Sequence, residues 1–163
     1  MLKKRLMFRV MMLGLPLATL VACNENETSD KVIPVSPEDT SMNAAIEKAR
    51  GRLSVFWQEY AHPAVDEDSF NLKLRLTDGK NVEHFWCEVV TGDGSSATCT
   101  INNDAESVHT VKIGDRVQVD FSTISDWMYR KNGKILGGET IRALLPMMSV
   151  DEAKATREQL ADP

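Results

Sequence analysis

At 163 residues, with 42% of them hydrophobic, the chain can bury one core and is too short to hold two ordinary domains. Its formal charge of −5 argues against nucleic acid and against adhesion to anionic lipid headgroups, since both need a surplus of clustered cations.

The first 22 residues read as a leader outside that core. Lys3, Lys4, Arg5 and Arg9 form a basic flank, and Leu13 to Val21 form an apolar run too short for a comfortable membrane span. The run ends on Leu20-Val21-Ala22-Cys23, a lipobox: small residues before a cysteine that becomes diacylated and then the new amino terminus. Two or three acyl chains on Cys23, palmitate among them, would make attachment stable, where one chain binds only marginally. Asn24 stands where lipoproteins kept at the inner membrane usually carry Asp, so an outer-membrane anchor facing the periplasm is expected over an inner-membrane one. Cleavage removes four positive charges and no negative ones, which takes the formal charge from −5 to −9. Residues 23–41 are polar and proline-bearing without periodicity, a flexible tether. At about 5–6 Å times the square root of the residue number, such a tether reaches on the order of 20–25 Å. Residues 42–163 then form a single domain.

Met42, Ile46, Ala49, Leu53, Phe56 and Tyr60 recur at helical spacing and predict one continuous amphipathic helix. Ser41 or Asn43 is placed to cap it and His62-Pro63 to end it. Ala64 to Ser69, with three acids, reads as a surface loop. Phe70, Leu72, Leu74 and Leu76 alternate with Asn71, Lys73, Arg75 and Thr77, a one-sided strand that Asp78-Gly79-Lys80-Asn81 turns back. Centring that turn between Gly79 and Lys80 sets Leu76, Leu74, Leu72 and Phe70 opposite Glu83, Phe85, Cys87 and Val89. His84, Trp86 and Glu88 then share the second face with Arg75, Lys73 and Asn71. A further turn centred on Asp93 would pair Val89 with Ala97, Cys87 with Cys99 and Phe85 with Ile101.

Val108 to Ile113 is a connector or a short strand, and Val117, Val119 and Phe121 alternate as another strand entered through Gly114-Asp115. Asn132-Gly133 marks a type I′ hairpin that folds the strand beginning near Ile124 back onto Ile135 to Gly138. Trp127 and Met128 then face Gly138 and Gly137, which predicts a tight bend or a close backbone approach. Ile141, Leu144 and Leu145 fit one face of a short helix ended by Pro146, and Ser149 with Glu152 forms a capping box for a last helix to about Leu160.

Four stretches carry a family resemblance: E-H-F-W at Glu83 to Trp86, I-N-N at Ile101 to Asn103, I-S-D-W-M at Ile124 to Met128, and G-G-E-T-I-R at Gly137 to Arg142. In order and spacing, over roughly Met42 to Leu160, the chain resembles the YegJ-like family of bacterial proteins, a domain of unknown function (number 2314). The resemblance implies a small domain and no established activity. Glycine near Cys99 and proline near Ala105 are usual in that pattern and absent here, which leaves the turns beside them open.

The elements sum to an α+β fold: one twisted antiparallel sheet of five or six strands, open or curled toward a small barrel. Helices on one side comprise an N-terminal helix, a short helix after the last hairpin and a C-terminal helix. Cys87 and Cys99 remain after lipidation, in a compartment where disulfides persist, and are expected to form one; no C-x-x-C spacing supports a reactive thiol or metal pair. His62, His84 and His109 invite a metal, but Glu83 and His84 point to opposite strand faces, so neither a metal site nor a cofactor is expected. There is no G-x-S-x-G, P-loop or G-x-G-x-x-G, and Gly137-Gly138 alone is a weak phosphate cradle. Asp126 joins His84 or Glu83 as an acid/base pair only by assumption; an ion pair with Arg142 holding hairpin to helix is the simpler expectation. Glu83, His84, Trp86, Asp126, Trp127, Tyr129, Thr140 and Arg142 mix aromatic, charged and polar groups as a recognition surface does. The expected function is therefore a tethered periplasmic protein-binding or accessory module, with a hydrolase of an envelope substrate as the rival class.

Overall fold

The computed structural model describes residues 39–162, so the leader, Cys23 and nearly all of the tether lie outside the described residues. Helices α1 (Thr40–Gly51) and α2 (Leu53–Ala61) precede six strands: β1 (Glu67–Asp78), β2 (Asn81–Gly92), β3 (Ala97–Ile101), β4 (Arg116–Gln118), β5 (Ile124–Lys131) and β6 (Lys134–Gly137). Helices α3 (Glu139–Leu144) and α4 (Val150–Gln159) follow. The strands form one antiparallel sheet in the order β4-β3-β2-β1-β5-β6. This is the expected α+β architecture, and the sheet is open rather than curled into a barrel. Closure would need β4 to meet β6, but β4 has three residues and the β6 edge is occupied by the chain end, where Ala161 N–H donates to the Ile135 carbonyl (2.9 Å).

The β1–β2 hairpin has the register that alternation dictates, with Leu72 opposite Cys87, Leu74 opposite Phe85 and Leu76 opposite Glu83. Leu72, Leu74, Phe85, Cys87, Ile101 and Trp127 are buried on that face. Phe56 of α2 plugs it, with ring centroids 5.0–6.2 Å from those of Trp57, Tyr60, Phe70 and Trp127. Burying each such large side chain contributes on the order of 2–3 kcal/mol. The apolar stripe expected of one helix is shared by two. The chain breaks at Gly51-Arg52, where Arg52 N–H donates to the carbonyls of Ala49 and Arg50 and leaves helical geometry. Glycine inside a helix is the residue that makes such a break inexpensive. The cap is Asp39 rather than Ser41 or Asn43; its Oδ1 accepts from Met42 N–H (2.9 Å).

Three further expectations are corrected. Strand β1 starts at Glu67, inside the stretch read as a loop, because Glu67 is buried there and paired with Lys131 (2.8 Å). The strand expected over Val117 to Phe121 stops at Gln118, since Asp120 accepts from Ser122 N–H and turns Phe121–Thr123 into a 3₁₀ turn. The β2–β3 register is displaced by two residues, with Cys87 opposite Ile101 and Val89 opposite Cys99. Asp93 is not the pivot: its Oδ1 accepts from Ser95 and Ser96 N–H (3.0 Å each), closing a longer turn that pairs Gly92 with Ala97. A slip of two keeps every side chain on its face. Cys87 and Cys99 are thus diagonal rather than opposite, and they still form a disulfide with Cα atoms 5.5 Å apart, beside a bulge between Val89 and Thr91.

At the other end of the sheet, Asn132 and Gly133 have positive φ and make the expected hairpin turn, with Met128 opposite Gly137. A Cβ on Gly137 (φ +77°) would stand 2.6 Å from Trp127 Cε3, so only glycine fits beside that indole. The capping box of Ser149 and Glu152 opens α4 as expected.

Candidate functional site

Five of the eight residues expected to form a recognition surface are buried: Glu83, Asp126, Trp127, Tyr129 and Thr140. They hold the fold. The Asp126 carboxylate accepts from the N–H groups of Trp127 (2.8 Å), Glu139 (3.3 Å) and Thr140 (2.7 Å) and from Thr140 Oγ1 (2.7 Å). It therefore caps α3, whose N-cap residue, Gly138, has no side chain to do so. Burial raises its pKa, while the Thr140 hydroxyl, the N–H bonds and the Lys73 charge pull the other way. Trp127 Nε1 donates to the Ala49 carbonyl of α1 (2.8 Å), and Glu139 pairs with Lys48 (2.9 Å) and Arg52 (3.5 Å). The expected Asp126–Arg142 ion pair does not form. Asp126 is taken up by the start of α3, and Arg142 donates to the carbonyls of Ala161 (2.9 Å) and Gly137 (3.4 Å) instead, a structural role by another route.

Glu83 closes the connector between β3 and β4. Its carboxylate accepts from the N–H groups of Glu106 (3.0 Å), Ser107 (2.9 Å) and Val108 (3.1 Å). Burial pushes its pKa up, and the donors together outweigh that and hold it below the ordinary carboxylate range.

What remains open is the second face of β1, β2 and β3. Lys73 lies opposite Trp86 and Arg75 opposite His84. Lys73 Nζ stands 5.1 Å from the Trp86 ring centroid and donates to Thr140 Oγ1 (3.2 Å). Burial lowers its pKa, against the pull of Asp126. Trp86 is fixed through its backbone, its N–H donating to Asn103 Oδ1 (2.8 Å) and its carbonyl accepting from Asn102 N–H (2.9 Å). A chain of amides runs beside it: Asn102 Nδ2 donates to Asn71 Oδ1 (2.8 Å), and Asn71 Nδ2 to the Ser69 carbonyl (2.8 Å). These groups, with Met128, Arg130 and Ile135, bound a cleft of about 420 Å³. Asn71, Lys73 and Arg75 were legible as the outward half of an alternating strand, and Asn102 belongs to the I-N-N stretch. What joins Asn71 and Asn102 with Arg130 is the placement of β1 between β2 and β5, which the sequence does not state.

His84 Nδ1 lies 2.8 Å from Ser125 Oγ, the geometry of a base beside a nucleophile. Ser125 is buried and its hydroxyl donates to the Lys73 carbonyl (3.2 Å), which leaves its lone pair for an Nδ1–H of His84. Burial, then the Lys73 and Arg75 charges, hold the His84 pKa down at about 4. A hydroxyl so committed beside so weak a base is a structural bridge from β2 to β5. Among the described residues, no group of three or more His, Cys, Asp or Glu side chains gathers as a metal site would.

Fold and site together define a small α+β domain with one packed and one polar sheet face. The chain belongs to a family described as an uncharacterised protein conserved in bacteria, domain of unknown function 2314, whose model matches residues 39–161. It is similar to the uncharacterised protein YegJ of Escherichia coli K12, at 32% identity over 149 residues, covering 91% of this chain and 96% of that one. It is also similar to a Neisseria meningitidis serogroup B protein whose provisional name describes an ankyrin repeat protein, at 31% identity over 126 residues. That match covers 72% of this chain and half of the Neisseria protein. No solved structure matches.

Proposed function

We propose that the protein is a lipid-anchored binding module of the bacterial envelope, held through Cys23 and facing the periplasm from the outer membrane, which engages a protein partner through the open sheet face. The observation that carries this reading is that face: Trp86 and Asn102 line a cleft of about 420 Å³ on a sheet surface left uncovered by α1 and α2, with Arg75 further along β1 on the same face. Trp86 is stacked by Lys73 and Asn102 is tied to Asn71, while Arg75 is exposed on this face and forms no ion pair among the described residues. The Neisseria relative supports the reading in one respect, since ankyrin repeats build extended binding surfaces. The Ser125–His84 pair gives a hydrolase reading no support, for the reasons given above.

The test is photo-crosslinking in intact cells from a reactive amino acid at Arg75 or Asn102, with Lys154 on α4 as the control position. Adducts from the two sheet positions and not from Lys154, weakened by Cys23→Ser, are expected. No adduct from the sheet face, or the same adducts from Lys154, would overturn the surface assignment.

A further inference from the structure

The cleft beside Trp86 has a donor and acceptor pattern that specifies its occupant. Arg130 lines it, and among the described residues its guanidinium makes one hydrogen bond, to the Gly133 carbonyl (2.9 Å). Among the described residues the lining contains no acid, in a chain whose formal charge is −5. Two acids stand beside the lining in register: Asp68, opposite Arg130 across β1 and β5, accepts from Ser69 Oγ (2.6 Å), and Glu88 is opposite Asn71 across β1 and β2; among the described residues neither forms an ion pair with Arg130. Arginine without a carboxylate of its own, in a concave site, fits a carboxylate from outside. Asn102 uses one amide hydrogen on Asn71, which leaves its oxygen and second hydrogen, the pair that a peptide unit complements. Trp86, Met128 and Ile135 supply apolar wall.

The site is also held in shape. Ser69 has a positive φ of 54° at the slip where β1 shifts against β5 between Asp68 and Asn71, and the amide chain from Asn102 through Asn71 ends on its carbonyl. Such a conformation is unfavourable for serine and persists where the surroundings enforce it, as they do at binding clefts. Trp86 on β2 and Met128 on β5 stand two strand spacings apart and two residues out of line along the strands, since Trp86 is opposite Lys73 and Met128 opposite Asn71, a separation of about 12 Å. Two residues of extended chain with their end groups reach most of that span.

We infer that the cleft seats the C-terminal end of a partner polypeptide: Arg130 takes the terminal carboxylate, Asn102 the last peptide unit, and Trp86 with Met128 and Ile135 the last side chain. This rests on the binding reading above and names how the partner is recognised. A chain terminus places a carboxylate and a peptide unit side by side in every sequence, so one cation and one amide suffice.

The test follows the indole N–H resonance of Trp86, assigned with Trp86→Phe, in the protein as matured in the cell envelope and held in detergent. The probes are acetyl-alanyl-leucine as the free acid, the same dipeptide as its carboxamide, and a carboxamide peptide with one internal glutamate. Saturable shifts with the free acid and binding weaker by about tenfold or more for both carboxamides are expected, that being the loss of one charge-assisted pair. Arg130→Gln should abolish the preference for the acid, and Arg130→Lys should keep part of it, which separates recognition from misfolding. Equal binding of acid and carboxamide, equal binding of the internal glutamate, or no Trp86 shift at millimolar peptide would overturn the inference. Crosslinked adducts at Asn102 without peptide binding would discard the terminus alone; absence of both would discard the binding reading as well.

Discussion

His84 offers the most quantitative check on the sheet face. Its pKa is about 4 in the fold against 6.5 for the free side chain, because burial and the charges of Lys73 and Arg75 oppose protonation. The sign follows from linkage. Below about pH 6.5 the unfolded chain takes up a proton that the folded chain refuses, so stability falls as the pH drops from about 6.5 toward about 4, and the loss is complete below that. Between pH 7 and pH 5 one such group costs roughly 1.8 kcal/mol, or about 1–1.5 kcal/mol once the half-buried ring's contact with solvent is discounted. Glu83 and Glu67 have depressed values, so their contributions fade only as the pH falls through the lower carboxylate range, and Asp126, raised, works in the opposite direction. The assay is urea unfolding without reductant at pH 7 and pH 5, wild type against His84→Gln, so that the carboxylates cancel in the comparison. The variant should lose about 1 kcal/mol less than wild type between the two pH values. Parallel pH dependence in the two proteins would refute the burial of a neutral His84.

Gly137→Ala should cost about 3 kcal/mol or more by chemical denaturation, since a Cβ would meet Trp127 Cε3 at 2.6 Å on a backbone with φ +77°. Arg142→Ala should lower the melting temperature by about 2–6 °C, because it unties the α3 side chain from the Ala161 and Gly137 carbonyls. An unchanged transition would return Arg142 to the recognition surface. Replacing Cys87 and Cys99 together by alanine opens a crosslink of sequence separation 12 and should cost about 2–3 kcal/mol, less where the hairpin persists in the unfolded chain. Two alkylatable thiols in mature wild-type protein would contradict the bridge.

Legibility from sequence followed how local each constraint was. The β1–β2 register was readable because alternation on both strands and the short Asp78–Asn81 turn allow one pairing. The β2–β3 register was not, because a displacement of two preserves both faces, so the pattern accepts either pairing and the Asp93 side chain decides. The disulfide survived that error for the same reason: both cysteines remain on the core face, and a diagonal pair is within reach. Gly51 was a visible sign that the helical stripe would break. The Asp126–Arg142 pairing failed for a different reason. Opposite charges at suitable separation are visible in a sequence, but the backbone N–H groups that outcompete Arg142 for the carboxylate appear only once α3 points its start at β5.

The stretches that carry the family resemblance say little about activity for the same physical reason. A motif on a strand contributes to both faces, and the inward members are those with a steric reason to be there. In E-H-F-W, Glu83 and Phe85 turn inward to the connector and the core, while His84 and Trp86 turn to the open face; in I-N-N, Ile101 is buried and Asn102 exposed. The I-S-D-W-M and G-G-E-T-I-R stretches meet in the junction of β5, α3 and α1, where Asp126, Trp127, Gly137, Glu139 and Thr140 all serve packing or capping. The residues that carry the resemblance are thus mainly ones that hold the domain together. On the binding reading proposed above, recognition falls to the outward positions of the same strands, where Trp86 and Asn102 line one cleft with Arg130, and substitutions there should separate recognition from stability.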